Sequence, residues 1–170
     1  MHLLKTVGIS FAAALSIGLT ASTVAAADRP QIPFAGTSSG TDTSVAPTNE
    51  YFNQFHITAA IKGTGSLVGQ FTETLDYVAT LDAEGAGVEG TGVITAADGS
   101  KVYLRFEGTV PGFSPAALFP LEYSETFVIT GGTGRFAGAS GSGDISGVDY
   151  GPQVNMFEQD FEGVLIKAGK

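Results

Sequence analysis

The sequence predicts an all-β fold, an eight-stranded antiparallel barrel of the up-and-down kind, and three observations carry that expectation. From Tyr51 onward apolar and polar residues alternate with a period of two, the pattern of strands with one face in a core. Turn residues interrupt the alternation about every 8 to 14 positions. Lys62-Gly63-Thr64-Gly65, Asp82-Ala83-Glu84-Gly85 and Asp98-Gly99 supply residues that tolerate the positive φ of tight hairpins. No segment repeats with a helical period, and 24 glycines in 170 residues suit tightly coiled strands. Closing the sheet removes exposed edges. A β-sandwich with the same strand count is the alternative.

Taken in order, the chain opens with one positive charge at Lys5, an apolar stretch from Val7 to Leu19, and Ala25-Ala26-Ala27 ahead of Asp28. This predicts a secretory signal peptide over residues 1–27. The apolar stretch falls short of the roughly 20 residues of a membrane span and is broken by Gly8, Ser10, Ser16 and Gly18. The expectation is therefore an exported protein, periplasmic or extracellular, without a stable membrane anchor. Cleavage removes Lys5 alone among the charged residues and takes the net charge from -9 to -10. Residues 28–49, rich in Ser, Thr, Gly and Pro, read as a flexible leader that can lend a first strand near Ile32–Ser38. Residues 50–170 form the single barrel domain, with strands expected near 52–62, 67–80, 86–96, 101–110, 121–131, 141–149 and 154–167.

Composition excludes several classes. There is no cysteine, hence no disulfide, no Cys-ligated metal and no thiol nucleophile. With 8 Lys+Arg against 17 Asp+Glu the chain lacks the clustered basic residues that a nucleic-acid partner needs.

The segment Ile129-Thr130-Gly131-Gly132-Thr133-Gly134-Arg135-Phe136-Ala137-Gly138-Ala139-Ser140-Gly141 resembles an element of the allene oxide cyclase and dirigent superfamily. There a strand ends in Gly-Gly-Ser/Thr-Gly, followed by one residue and a Phe, and the next strand begins shortly after. The resemblance implies an eight-stranded, calycin-like barrel, often a homotrimer, with a hydrophobic cavity. In the cyclases that cavity closes a cyclopentenone ring from a fatty-acid epoxide; in dirigent proteins it orients phenoxy radicals. No catalytic residue is carried over. Tyr51-Phe52-Asn53-Gln54-Phe55-His56 does not match the cyclases' polar first strand, and the cavity cysteine is missing.

Gly132-x-Gly134-x-x-Ala137 also fits a dinucleotide fingerprint, but the run Gly138-Ala139-Ser140-Gly141-Ser142-Gly143 cannot sustain the helix that would hold the phosphate. The expected role is structural, with Phe136 plugging one barrel end. Once His2 leaves with the signal, His56 is the remaining histidine, on the face of Gln54 and Thr58 and so toward solvent. That leaves neither a hydrolytic triad nor a multi-histidine metal site. Glu158, Asp160 and Glu162 share a strand face opposite Phe157 and Phe161 and read as solvated rather than as a Ca²⁺ site.

More informative are acids on apolar faces. Glu73 lies with Phe71, Leu75 and Tyr77, and Glu125 with Tyr123, Phe127 and Ile129. Pointed inward, either becomes a candidate general acid or base, because a buried carboxyl is costly to ionise. Pointed outward or placed at a mouth, they are solvated. Phe71, Tyr77, Phe106, Tyr123 and Phe127 are the candidate cavity walls. The uncharged stretch 111–120, with three prolines, is either a lid or a packed cap at a barrel mouth.

Three functions stay open. The first is an exported barrel that binds a small hydrophobic molecule. The second is a cofactor-free cyclase or isomerase, or a dirigent-type coupling protein, using Glu73 or Glu125. The third is a non-catalytic assembly protein. No cofactor or metal is expected for any of them.

Overall fold

The alternation becomes eight strands: β1 (Gln31–Pro47), β2 (Gln54–Gly65), β3 (Gly69–Leu81), β4 (Gly85–Ala96), β5 (Lys101–Pro111), β6 (Leu121–Gly132), β7 (Ser140–Asp149) and β8 (Phe157–Ile166). They come from a computed structural model, which describes residues 29–114 and 117–168. The predicted signal segment lies outside the described residues.

Each strand pairs antiparallel with the next, and β1 pairs with β8, which closes the sheet into a barrel. Five strands, β3 to β7, fall within two residues of their expected ends, whereas β2 ends three residues later and β8 starts three residues later than expected. The largest difference is β1. It runs well beyond Ser38, because its inward positions after Phe34 are Gly36, Ser38, Gly40 and Asp42, too small or polar to show as hydrophobic alternation. Bulges between Asp42 and Ser44 and between Tyr103 and Leu104 bend the wall.

Paired residues in an antiparallel ladder share a face, so the register defines the interior. One ring of partners runs Tyr123, Gly147, Gln159, Ser38, Gly63, Phe71, Ala96. Another runs Asp149, Phe157, Gly40, Ile61, Glu73, Ile94, Val102.

The end of the barrel bearing the β2–β3, β4–β5 and β6–β7 turns, here the lower end, is dry. Phe34, Ile61, Phe127, Phe136, Val102 and Leu165 are all at most 2% exposed. Phe34 packs on Phe161 and Phe127 with ring centres 5.0 and 6.1 Å apart. Burial of each such ring contributes about 2–3 kcal/mol. The Gly-Gly-Thr-Gly segment forms a single 3₁₀ turn, Gly134–Phe136, before β7. It seats Phe136 as a plug, and no helix opens after it, in keeping with a structural rather than nucleotide-binding role.

Candidate functional site

The upper half of the barrel differs from the lower. Asp42, Leu75, Tyr77, Tyr123, Glu125, Asp149 and Phe157 all point inward by register, yet all keep partial contact with solvent. Inward side chains near one end of a closed wall meet water through the mouth at that end, and the space they line is here called the upper lumen. That lumen opens toward the upper end, where β1–β2, β3–β4, β5–β6 and β7–β8 are joined, and its floor is the aromatic packing below.

Glu73 lies at the floor and is 6% exposed. Alternation on β3 brings it to the inner face with Phe71, Leu75 and Tyr77, one of the placements that the sequence left open. Its Oε1 lies against the backbone of Gly92 on the neighbouring strand, where a Cβ would come within 2.9 Å. No hydrogen bond holds this carboxyl among the described residues; burial, with Glu125 nearby, pushes its pKa up to about 8. Burial likewise raises Glu125 to about 7.

The phenols line the same space. The Tyr77 ring meets Phe106 edge-on at 5.9 Å, and its hydroxyl donates to Asp42 Oδ1 at 3.3 Å. The Tyr123 hydroxyl donates to Gln159 Oε1 at 2.9 Å. Its ring occupies the space opposite Gly147 that any larger residue there would fill. Both phenols are pushed well above their ordinary pKa, by burial first, then by Asp42 for Tyr77 and by Glu125 for Tyr123.

Asp42 and Asp149 complete the group. Burial and the neighbouring Asp149 raise Asp42 to about 6, and burial raises Asp149 against a backbone N–H from Gly151 that lowers it. The sequence reading missed both. Counting by twos from Phe34 reaches Asp42, and counting from Ile145 reaches Asp149, but both strands are too rich in Gly and Ser to show which parity is inner. Ser38, 9% exposed, also faces inward, and its Oγ is buried without a partner.

The predicted wall residues Phe71, Tyr77, Phe106, Tyr123 and Phe127 all lie on the inner face. They divide by height. Phe71 and Phe127 belong to the dry floor, whereas Tyr77 and Tyr123 flank the lumen beside the carboxyls.

Other candidates fall outside this space. His56 sits on the outer face and pairs with Asp76 at 2.9 Å. Glu158, Asp160 and Glu162 are exposed on the outside of β8, where Tyr150 donates to Glu158. No group of three potential metal ligands is found among the described residues. Two concavities of about 670 and 450 Å³ are lined mostly by outward residues, and the larger also takes in Ser38, Tyr123 and Gln159 of the inner ring. The larger spans β2, β1, β8, β7 and β6 between Lys62, Ser39, Asp160 and Glu122.

The stretch after β5 packs at the upper end: Phe113 meets Phe119 edge-on at 6.0 Å, and Phe119 covers Gly151 of the β7–β8 connection. Leu118 in the same stretch is 89% exposed.

Comparison with protein-family models, curated proteins and solved structures gave no match. The chain is thus placed by its architecture, an eight-stranded antiparallel barrel with an acid-lined upper lumen.

Proposed function

We propose that this barrel binds a small, largely apolar molecule in its upper lumen. The observation that supports the reading is the set of inward side chains that keep solvent contact above a dry aromatic floor. Eight strands leave an interior either filled by side chains or wide enough for one small ligand. Here side chains fill the lower half, and the proposed ligand takes the upper half. Tyr77, Phe106, Tyr123 and Phe157 supply the apolar contact, and the carboxyls and Gln159 supply orientation. The signal-like residues 1–27 support export of the barrel, and its resemblance to the cyclase and dirigent superfamily supports a homotrimer.

The test is an NMR titration with 2-phenylethanol, a neutral probe of suitable size. Shifts at Tyr77, Tyr123 and Phe157 that saturate at millimolar probe are expected, with Leu75→Trp abolishing them by filling the lumen. No saturable shift, or shifts confined to the outer concavities, would overturn the reading.

A second reading, a cofactor-free cyclase or isomerase, is favoured by one observation: Glu73 is buried on an inner face with Phe71, Leu75 and Tyr77, where burial raises its pKa to about 8. Such a group donates a proton to a carbonyl or epoxide oxygen without a cofactor. Turnover of an added epoxide or enone that disappears in Glu73→Gln, with probe binding retained, would separate this from plain binding.

A further inference from the structure

The ionisable groups of the lumen are all of one kind. Asp42 enters from β1, Glu73 and Tyr77 from β3, Tyr123 and Glu125 from β6, and Asp149 from β7. The inward residues of β2, β4, β5 and β8 add no titratable side chain. Among the described residues, His56, Lys62, Lys101 and Arg105 point outward by register, and Arg29, Arg135 and Lys167 are exposed at the ends. Four carboxyls therefore share one partly dry space with no cation from the described residues.

Two polar groups there lack partners. The Ser38 Oγ is buried and unpartnered on the inner wall, next in register to Gln159, which holds the Tyr123 hydroxyl. The Glu73 carboxyl is buried and held by no hydrogen bond among the described residues. Polar groups left open in this way are satisfied by water or by a ligand that enters. Resting on the ligand-binding reading above, we infer that the ligand is a small apolar amine, bound as its ammonium ion between the Glu73 and Glu125 carboxyls and the faces of Tyr77 and Tyr123.

The chemistry is selective in both directions. A carboxylate ligand would bring one more negative charge into a low-dielectric space already crowded with four acids. A neutral ligand would leave the carboxyls as they are. An ammonium ion gains an ion pair and the negative faces of two phenol rings. As it enters, one carboxyl gives up its proton to solvent, so one cation is taken up and one proton released. Glu73 and Glu125 hold that proton near neutrality, which makes the exchange measurable.

The test is calorimetric titration of the chain at pH 7 with 2-phenylethylamine, 2-phenylethanol and 3-phenylpropionate. The amine is expected to bind at least tenfold more tightly than the alcohol, and the carboxylate to be the weakest. Its apparent heat should differ between phosphate and Tris by close to one proton released. In Glu73→Gln/Glu125→Gln the preference for amine over alcohol should fall at least tenfold, through loss of amine affinity. Equal affinity for amine and alcohol, a carboxylate as tight as the amine, or a preference untouched by the double substitution overturns the amine assignment and leaves the binding barrel standing. Failure of all three probes to bind at millimolar concentration overturns both.

Discussion

At the scale of single residues, the proton on Glu73 is what makes its burial tolerable. The ordinary carboxyl value of 4.5 applies to the unfolded chain, and the folded value is about 8. Between those pH values the folded state keeps a proton that the unfolded chain has released. The contribution of the protonated form is therefore complete below about 4.5 and is lost as pH rises through about 8. Glu125, raised to about 7, acts in the same direction. Stability is expected to fall from acid to alkali, by on the order of 4 kcal/mol for Glu73 between pH 4 and pH 9. Urea unfolding across that range should show the loss, and Glu73→Gln, which cannot ionise, should flatten the profile by a similar amount. Parallel profiles for the two proteins would mean that Glu73 ionises in place at little cost. The sequence indicated this residue because an acid on a Phe-Leu-Tyr face is anomalous. It did not indicate Asp42 or Asp149, whose inward neighbours are glycine and serine.

At the scale of elements, the 3₁₀ turn between β6 and β7 ties the lower end together through one side chain. The Arg135 guanidinium donates to the Leu67 carbonyl and to Asp98 Oδ2, each at 2.9 Å, and lies 4.9 Å over the Phe136 ring. It joins the β2–β3 and β4–β5 turns to the plug. Asp98 is held below its usual range by the Ser100 backbone N–H first and by Arg135 less strongly. Arg135→Ala should cost roughly 1–2 kcal/mol of stability. Arg135→Lys should recover less than half, because one ammonium nitrogen cannot occupy the places of the two guanidinium nitrogens that reach Asp98 and Leu67. Thermal melts measure the loss, and hydrogen exchange at residues 66–68 should accelerate in step. Unchanged exchange there would separate Arg135 from the turns. The Gly-Gly-Thr-Gly-Arg-Phe motif was legible as a turn and plug; that its arginine reaches two other turns was not, since those contacts span 37 and 68 residues.

At the scale of the whole molecule, closure depends on β1, which bridges β2 and β8 over most of its length. Removing residues 29–47 would leave β2 and β8 as open edges. The truncated chain is expected to elute as aggregates or large oligomers and to lose cooperative unfolding. A cooperative, monomeric product would show that β2 and β8 can pair directly. The strand count and antiparallel order were legible because alternation and turn chemistry are local, and every connection joins neighbours. The length of β1 was not, because a strand whose inner face is glycine, serine and aspartate owes its place to the partners on either side.

The sequence by itself therefore determined the class of fold, the rhythm of the strands, the structural use of the glycine-rich turn, and the two glutamates that do not fit an outer surface. Each of these follows from side chains within one strand or one turn. Only the tertiary structure decided that the barrel is dry below and open above, and that Asp42 and Asp149 join Glu73 and Glu125 in one space with no internal cation among the described residues. The acids come from four strands set far apart in the chain. Their shared field, and the rise in each pKa, exists only when the ladder between β1 and β8 brings them around a common axis.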